Sequence, residues 1–382
     1  MPNLHTVRLP DSLEAALASN HPWVYKNHLP RHDFGVGEEL RVEAGRVARY
    51  GVFDPASPIA IRLFGGERIT DQRIRQLTEH ALAARKTLDL GNTNAYRLIN
   101  GEGDFLPAIV ADRYGRYAVL KAYSPAVTQF LPTIARVIGR TLKLRGVVQR
   151  VDGPDGAQLT ALFGELPPEE LTITEHGLKL LVHTVLGQKT GLFLDQRDNR
   201  TFVQGIASGK RVLNLFAYTG GFSLAALAGG ATHVTSADIS AGALEMATRQ
   251  VTMNGFDPAK HEALPLDIFA DLGLVRGSFD VVVVDPPSLA NNQQQLPRAL
   301  AAYRALNAQA AKLVQPGGWF ITASCTAQVT PAKFRATVQQ ALASAGVQAE
   351  LVREAGHAAD HPVRPHFPEG QYLTCLAFRV RP

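Results

Sequence analysis

Between about residue 184 and residue 382, short apolar runs alternate with stretches whose apolar residues recur every three or four positions. The runs at 212–216, 233–238, 279–284, 319–324 and 373–380 are short and rich in apolar and β-branched residues, as expected of strands covered on both faces. The stretches at about 222–229, 241–254, 298–314 and 331–345 carry helical spacing. Strands alternating with helices predict a doubly wound α/β sheet.

Upstream the pattern differs. Short apolar runs at 39–42, 47–53 and 59–64, separated by Gly, Pro and Asp turns, predict a small β-rich unit over 1–75. Residues 70–90 predict a helix capped by Thr70-Asp71, with Ile74, Leu77, Ala81 and Leu82 at helical spacing. Runs at 104–110 and 117–121 flank Asp112–Gly115, which reads as a hairpin turn. A helix at 126–141, a strand at 146–151 and a second hairpin at Glu175-His176-Gly177 follow. Domains are expected at 1–75, 76–183 and 184–382.

Composition narrows the class. A chain that is 46% hydrophobic and 19% charged is that of a folded protein, not a disordered one. The net charge of +5 is spread along the chain, so it permits a nucleic-acid partner without arguing for one. Cys325 and Cys375 are the two cysteines, which excludes a disulfide scaffold and fits a reducing cytosol. The opening Met-Pro-Asn-Leu-His lacks the layout of a secretory leader, and no run of about 18 apolar residues suggests a membrane span. The expected location is cytoplasmic, with no membrane partner.

The densest chemistry lies at 211–223, Arg-Val-Leu-Asn-Leu-Phe-Ala-Tyr-Thr-Gly-Gly-Phe-Ser, which reads as strand, glycine turn and helix start. Gly-x-Gly-x-x-Gly is absent, and no Gly-Lys-Ser/Thr closes the loop. What remains is the first loop of a class I S-adenosylmethionine (SAM) methyltransferase, with Asn214, Phe216, Tyr218, Thr219, Gly220 and Gly221 at the cofactor. Asp238 ends the next strand about 20 residues on, where a carboxylate accepts bonds from ribose hydroxyls; alternatively it caps the following helix. Asp267 is expected at the adenine amino group, with Ile268 or Phe269 against the ring; a solvated loop carboxylate is the alternative.

Four valines at 281–284 lead into Asp285-Pro286-Pro287, a carboxylate beside a stiff backbone that can be held against a base edge. Cys325 falls at the same predicted sheet edge, where a thiolate can act as nucleophile, although buried cysteines are more often inert. Cys375 sits inside a predicted strand and reads as core. The charged run 187–198 is compatible with either a surface hairpin or a site.

Taken together, the segments Gln-Lys-Thr-Gly-Leu-Phe-Leu-Asp-Gln-Arg-Asp (188–198), Asn-Leu-Phe-Ala-Tyr-Thr-Gly-Gly-Phe-Ser (214–223), Asp-Pro-Pro (285–287), Ser-Cys (324–325) and 358–373 resemble the bacterial 23S rRNA cytosine-C5 methyltransferases of the RlmI type. His21-Pro22-Trp23-Val24-Tyr25 resembles the opening of that family's PUA domain, a small RNA-binding β-barrel. The resemblance implies a PUA domain, a central α/β domain and a Rossmann-like catalytic domain. It also implies SAM as cofactor and 23S rRNA as partner. It places Asp195 and Arg197 on the cofactor side and matches Asp238 and Asp267 to the ribose and adenine carboxylates. Cys325 matches the family's nucleophile, and Asp285 is expected at both base and cofactor. Ser288 and Thr326 depart from the Lys and Ser often found there. His361 and water are alternatives for the base that removes the C5 proton. A guanine-N7 rRNA methyltransferase, a non-catalytic RNA-binding or ribosome-assembly factor, and a small-molecule methyltransferase are the rival functions. The oligomeric state stays open between monomer and homodimer.

Overall fold

The computed structural model describes residues 4–30, 32–154 and 156–382. Met1-Pro2-Asn3, weighed above as part of a leader, lies outside the described residues. By its contacts the chain forms two compact units. One comprises Met1–His176, Val182–Leu194 and Ala359–Gly370; the other comprises Gly177–Leu181, Asp195–Ala358 and Gln371–Pro382. No helix among the described residues is long and apolar enough to cross a membrane.

The first unit contains two five-stranded sheets. The N-terminal one runs in the order His5–Arg8, Glu39–Ala44, Val47–Phe53, Ile59–Gly65, Trp23–Tyr25. Its inward positions, including Val7, Leu40, Val42, Ile61 and Leu63, close a small core. The second runs Gly156–Gly164, Gly146–Gly153, Tyr117–Ala122, Ile109–Tyr114, Ala95–Asn100. Helices Asp71–Lys86 and Leu131–Thr141 bury Ile74, Leu77, Ile134 and Ile138 in its core. The Thr70 hydroxyl caps the first of these helices by accepting from the Arg73 amide at 3.1 Å.

One hairpin differs from expectation. The strand begins at Ile109, and the run from Gly101 to Asp104 is a 3₁₀ turn. Asp112 is not in the turn but in mid-strand, fully buried, and Arg97 donates to both its oxygens, at 2.6 and 3.2 Å. The turn itself falls at Gly115-Arg116. His361 also departs from the role weighed for it. Its side chain has no exposure, and Nδ1 lies 3.0 Å from Asp360 Oδ1.

The second unit is a seven-stranded sheet in the order His261–Pro265, His233–Asp238, Arg211–Leu215, Phe279–Val284, Val314–Ser324, Thr374–Val380, Ala349–Ala355. The first five strands are parallel, and Thr374–Val380 runs antiparallel to both its neighbours. The chain moves outward from Arg211–Leu215 through His233–Asp238 to His261–Pro265, then returns to lay Phe279–Val284 on the other flank. The strand order therefore reverses between Arg211–Leu215 and Phe279–Val284, the switch point at which ligands bind open α/β sheets. Strands Phe279–Val284 and Arg211–Leu215 are buried almost throughout, which is why both read as apolar runs.

Candidate active site

Five parallel strands deliver their carboxyl ends to one edge, and the predicted site residues follow those ends. After Leu215 the backbone takes the left-handed conformation at Phe216 (φ 59°), Tyr218 (φ 48°) and Gly220 (φ 78°). Two of these are non-glycine residues in a region that costs each on the order of 1–2 kcal/mol. Hydrogen bonds hold the loop in place: Tyr218 N donates to Asp238 Oδ2 at 2.8 Å, Gly220 N to Ala217 O at 2.8 Å, and Gln250 Nε2 to Thr219 O at 2.5 Å. Asp238 is thus the strut between the first loop and the second strand, its other oxygen accepting from Ser240 N at 2.9 Å. The helix that follows is capped by Ser240, not by Asp238. A carboxylate has about four acceptor positions, so two amides leave capacity for ribose hydroxyls.

At Gly220 a Cβ would stand 2.8 Å from the Ala247 Cβ, and at Gly221 it would stand 3.1 Å from the Arg200 Cδ. Thr219 Oγ1 and Asn214 Oδ1 are buried without a hydrogen-bond partner; Asn214 Nδ2 donates to Ser223 Oγ at 2.9 Å. Further along the edge, Ile239 is 72% exposed and Phe269 49% exposed, apolar groups standing in water directly beside carboxylates. Bare backbone, strand-end carboxylates and two exposed apolar faces are the surface an adenosine requires, so the residues fit SAM. Gly220→Ala should lower SAM affinity by about tenfold or more, because it adds both left-handed strain and a close contact. Titration calorimetry measures it; an unchanged Kd would remove Gly220 from the cradle.

Two adenine-side expectations need refining. Ile268 is 3% exposed and belongs to the core, because it lies on the inward face of the short helix Ile268–Asp271. Phe269, the outward neighbour, is the residue available to a ring, and its own ring lies 5.1 Å from that of Phe216. Asp267 is exposed and caps this helix, Oδ1 accepting from Phe269 N at 3.0 Å and Ala270 N at 3.3 Å.

Across the switch point stand Asp285 and Cys325. Asp285 N donates to Leu215 O at 3.4 Å, which ties the Asp-Pro-Pro turn to the strand carrying the cradle. Cys325 is half-buried, and its Sγ lies 3.5 Å from Pro286 O. Its neighbours are pinned: Ser324 Oγ donates to Tyr303 Oη at 3.0 Å and Thr326 Oγ1 to Ala290 O at 2.6 Å. Burial holds the Tyr303 phenol well above its usual range, and the nearby Cys325 and Asp285 push the same way, so Tyr303 stays a neutral hydroxyl beneath the site. Cys375 is fully buried opposite Ala323, and burial pushes its thiol up to about 12, which makes it inert core.

The charged run 187–198 is not a surface hairpin. Asp195, Gln196 and Arg197 are each at most 3% exposed, leading into the helix Arg197–Ile206. Tyr372 Oη donates to Asp195 Oδ2 at 2.7 Å, and Arg197 Nε lies 3.4 Å from Asp198 Oδ1. Gln196 Nε2 donates to Asp285 Oδ1 at 2.9 Å. Gln196 lay inside the 188–198 segment without a role of its own, and neither Tyr303 nor Ile239 stood out in the sequence. Ile239 had a readable signal, an apolar residue directly after a strand-ending carboxylate; Tyr303 had none.

The description of an S-adenosylmethionine-dependent methyltransferase matches residues 118–347, and that of a PUA-like domain matches residues 7–65. The chain is 36% identical over 389 residues to "Ribosomal RNA large subunit methyltransferase I" of Klebsiella pneumoniae strain 342, covering 96% of each chain. It is 35% identical over 384 residues to the protein of the same name from Escherichia coli strain SMS-3-5, covering 96% of this chain and 97% of that one. Among solved structures, SMU.776 complexed with SAH superposes with a TM-score of 0.88 at 21% identity, covering 99% of this chain and all of the other, a likeness of fold.

Proposed function

The chain belongs to the SAM-dependent ribosomal RNA large subunit methyltransferase I family, and from that premise we propose that it methylates carbon 5 of a cytosine in 23S rRNA through a covalent bond to Cys325. The observation that carries this reading is the half-buried thiol of Cys325 beside the Asp285-Pro286 turn. Methylation of a ring nitrogen such as guanine N7 needs no thiol, because the nitrogen lone pair is itself the nucleophile.

Carbon 5 of cytosine is a poor nucleophile until a nucleophile adds to the neighbouring C6. In the proposed reaction the Cys325 thiolate adds to C6. The C5–C6 π pair shifts through the ring toward N3, and the carboxylic acid of Asp285 gives its proton to N3. The adduct is then an enamine with electron density on C5. Asn214, Phe216, Tyr218, Thr219, Gly220, Gly221, Asp238 and Asp267, bordered by Asp195, Arg197 and Asp285, would hold SAM, whose sulfonium methyl group would pass to C5 with S-adenosylhomocysteine as the leaving group. Loss of the C5 proton to water re-forms the C5–C6 double bond as the C6–S bond breaks and the Cys325 thiolate leaves, and the N3 proton returns to Asp285. A paired base is out of reach, so the target is a loop or flipped cytosine. All the groups named belong to one chain.

We read residues 1–75 as the PUA-like RNA-binding domain, 76–183 as the central α/β domain and 184–382 as the catalytic domain, acting in the cytoplasm. Mass spectrometry of 23S rRNA from cells with and without the protein tests the function. Loss of a single 5-methylcytidine is the expected result; loss of a 7-methylguanosine, or no change, would overturn it.

A further inference from the structure

We propose that Arg353, Asn199 and Gln196 are positioning residues, forming a one-way hydrogen-bond wire that fixes Asp285 Oδ1 as an acceptor and so assigns the transferable proton to Oδ2. This rests on the role given to Asp285 above. Arg353 Nη1 donates to Asn199 Oδ1 at 2.7 Å. Asn199 Nδ2 donates to Gln196 Oε1 at 2.7 Å, and Gln196 Nε2 donates to Asp285 Oδ1 at 2.9 Å.

The direction is forced. A guanidinium has no acceptor, so the oxygen of Asn199 must face Arg353. That turns the Asn199 amide nitrogen to Gln196, whose oxygen must then face it, leaving the Gln196 nitrogen for Asp285. Each amide has one donor end and one acceptor end, so a single cation at the far end sets the polarity of the whole chain. Gly356 O, 3.3 Å from Asn199 Nδ2, adds a second acceptor that opposes any flip.

The local folding explains the alignment. Gln196 occupies the position just before the helix Arg197–Ile206 and Asn199 follows three residues on, so the two share a face. Arg353, on the strand Ala349–Ala355, lies 4.9 Å over the ring of Phe202 from the same helix. Asn199 is 1% and Gln196 3% exposed, so water does not compete and each bond polarises the next. At the end of the wire one oxygen of Asp285 is committed as an acceptor. A carboxylic acid so held donates from its other oxygen, which is the form that protonates N3.

Asn199→Asp tests the polarity with almost no change of shape. The new carboxylate keeps Arg353 but only accepts, so Gln196 must turn its nitrogen toward residue 199 and present Oε1 to Asp285. We expect kcat to fall by about tenfold or more, while KM for an rRNA fragment and the Kd of SAM stay within about twofold. In an Asp285→Asn background the same change should add nothing. Arg353→Met should lower kcat and Arg353→Lys should recover most of the loss, since lysine also only donates. The wire is overturned if N199D turns over like wild type, if its effect multiplies with that of D285N, if SAM affinity falls in step with turnover, or if R353K is as slow as R353M. An active wild type with an unimpaired N199D removes the wire alone. A wild type that methylates another atom overturns the functional reading and the wire with it.

Discussion

Cys325→Ala should abolish 5-methylcytidine formation, lowering kcat by on the order of 10³-fold or more, with the Kd of SAM unchanged within about twofold. The separation follows from where the groups sit. The cradle after Arg211–Leu215 and the carboxylates after the next two strands make up one side of the switch point; the thiol follows Val314–Ser324 on the other. Removing Sγ takes away the atom that bonds C6 and leaves the cradle's hydrogen bonds to Asp238 and Gln250 intact. Cys325→Ser should be nearly as inactive, because a hydroxyl is far less ionised than a thiol near neutral pH. RNA carrying 5-fluorocytosine at the target provides an independent readout. With fluorine in place of the C5 proton the last elimination cannot occur, so wild type should accumulate a protein–RNA adduct that C325A does not form. Undiminished methylation by C325A, or an adduct that forms without the thiol, would sink covalent catalysis by Cys325. Cys375 cannot substitute, since its thiol is fully buried and pushed up to about 12.

What the sequence revealed depended on which residues were buried for apolar reasons. Val281–Val284 lies in an interior strand of a parallel sheet, so its burial is written as a β-branched run. The two edge strands, His261–Pro265 and Ala349–Ala355, were not expected. They are polar and half-exposed, and the second alternates its exposure residue by residue, so neither makes an apolar run. Asp112 misled for the opposite reason. Its residue type favours turns, but a partner 15 positions away in the chain satisfies its charge inside a strand. The site divides along the same line. The glycine turn, Asp238, Asp285 and Cys325 each follow a strand end and were legible from local pattern. Gln196 stood in the charged run 187–198 with no role readable from it, and Asn199 and Arg353 act through bonds to residues distant in sequence that nothing in their own neighbourhoods announces.

The Arg97–Asp112 pair carries the largest effect expected on stability. Asp112→Ala should destabilise the first unit by about 3–5 kcal/mol, the cost of leaving a buried charge without its partner. The pair's side chains are only 8% and 1% exposed. Thr190 Oγ1 donates to Asp112 Oδ2 at 2.5 Å and Tyr114 Oη lies 2.8 Å from the same Thr190 hydroxyl, so the substitution also unseats a neutral network. A half-exposed pair in the same unit, Arg68–Glu39, has side chains 44% and 22% exposed; Glu39 also accepts from Ile69 N at 2.8 Å, and Glu39→Ala there should cost about 1–2 kcal/mol. Because the chain has two units, a single melting temperature mixes them. Hydrogen exchange of the amides of Ala95–Asn100 and Ile109–Tyr114 reports the first unit alone. The Arg97→Leu, Asp112→Leu double variant should be more stable than D112A, since it buries no uncompensated charge. Exchange protection in D112A within about 1 kcal/mol of wild type, or a double variant weaker than the single one, would show that the ion pair does not hold this sheet.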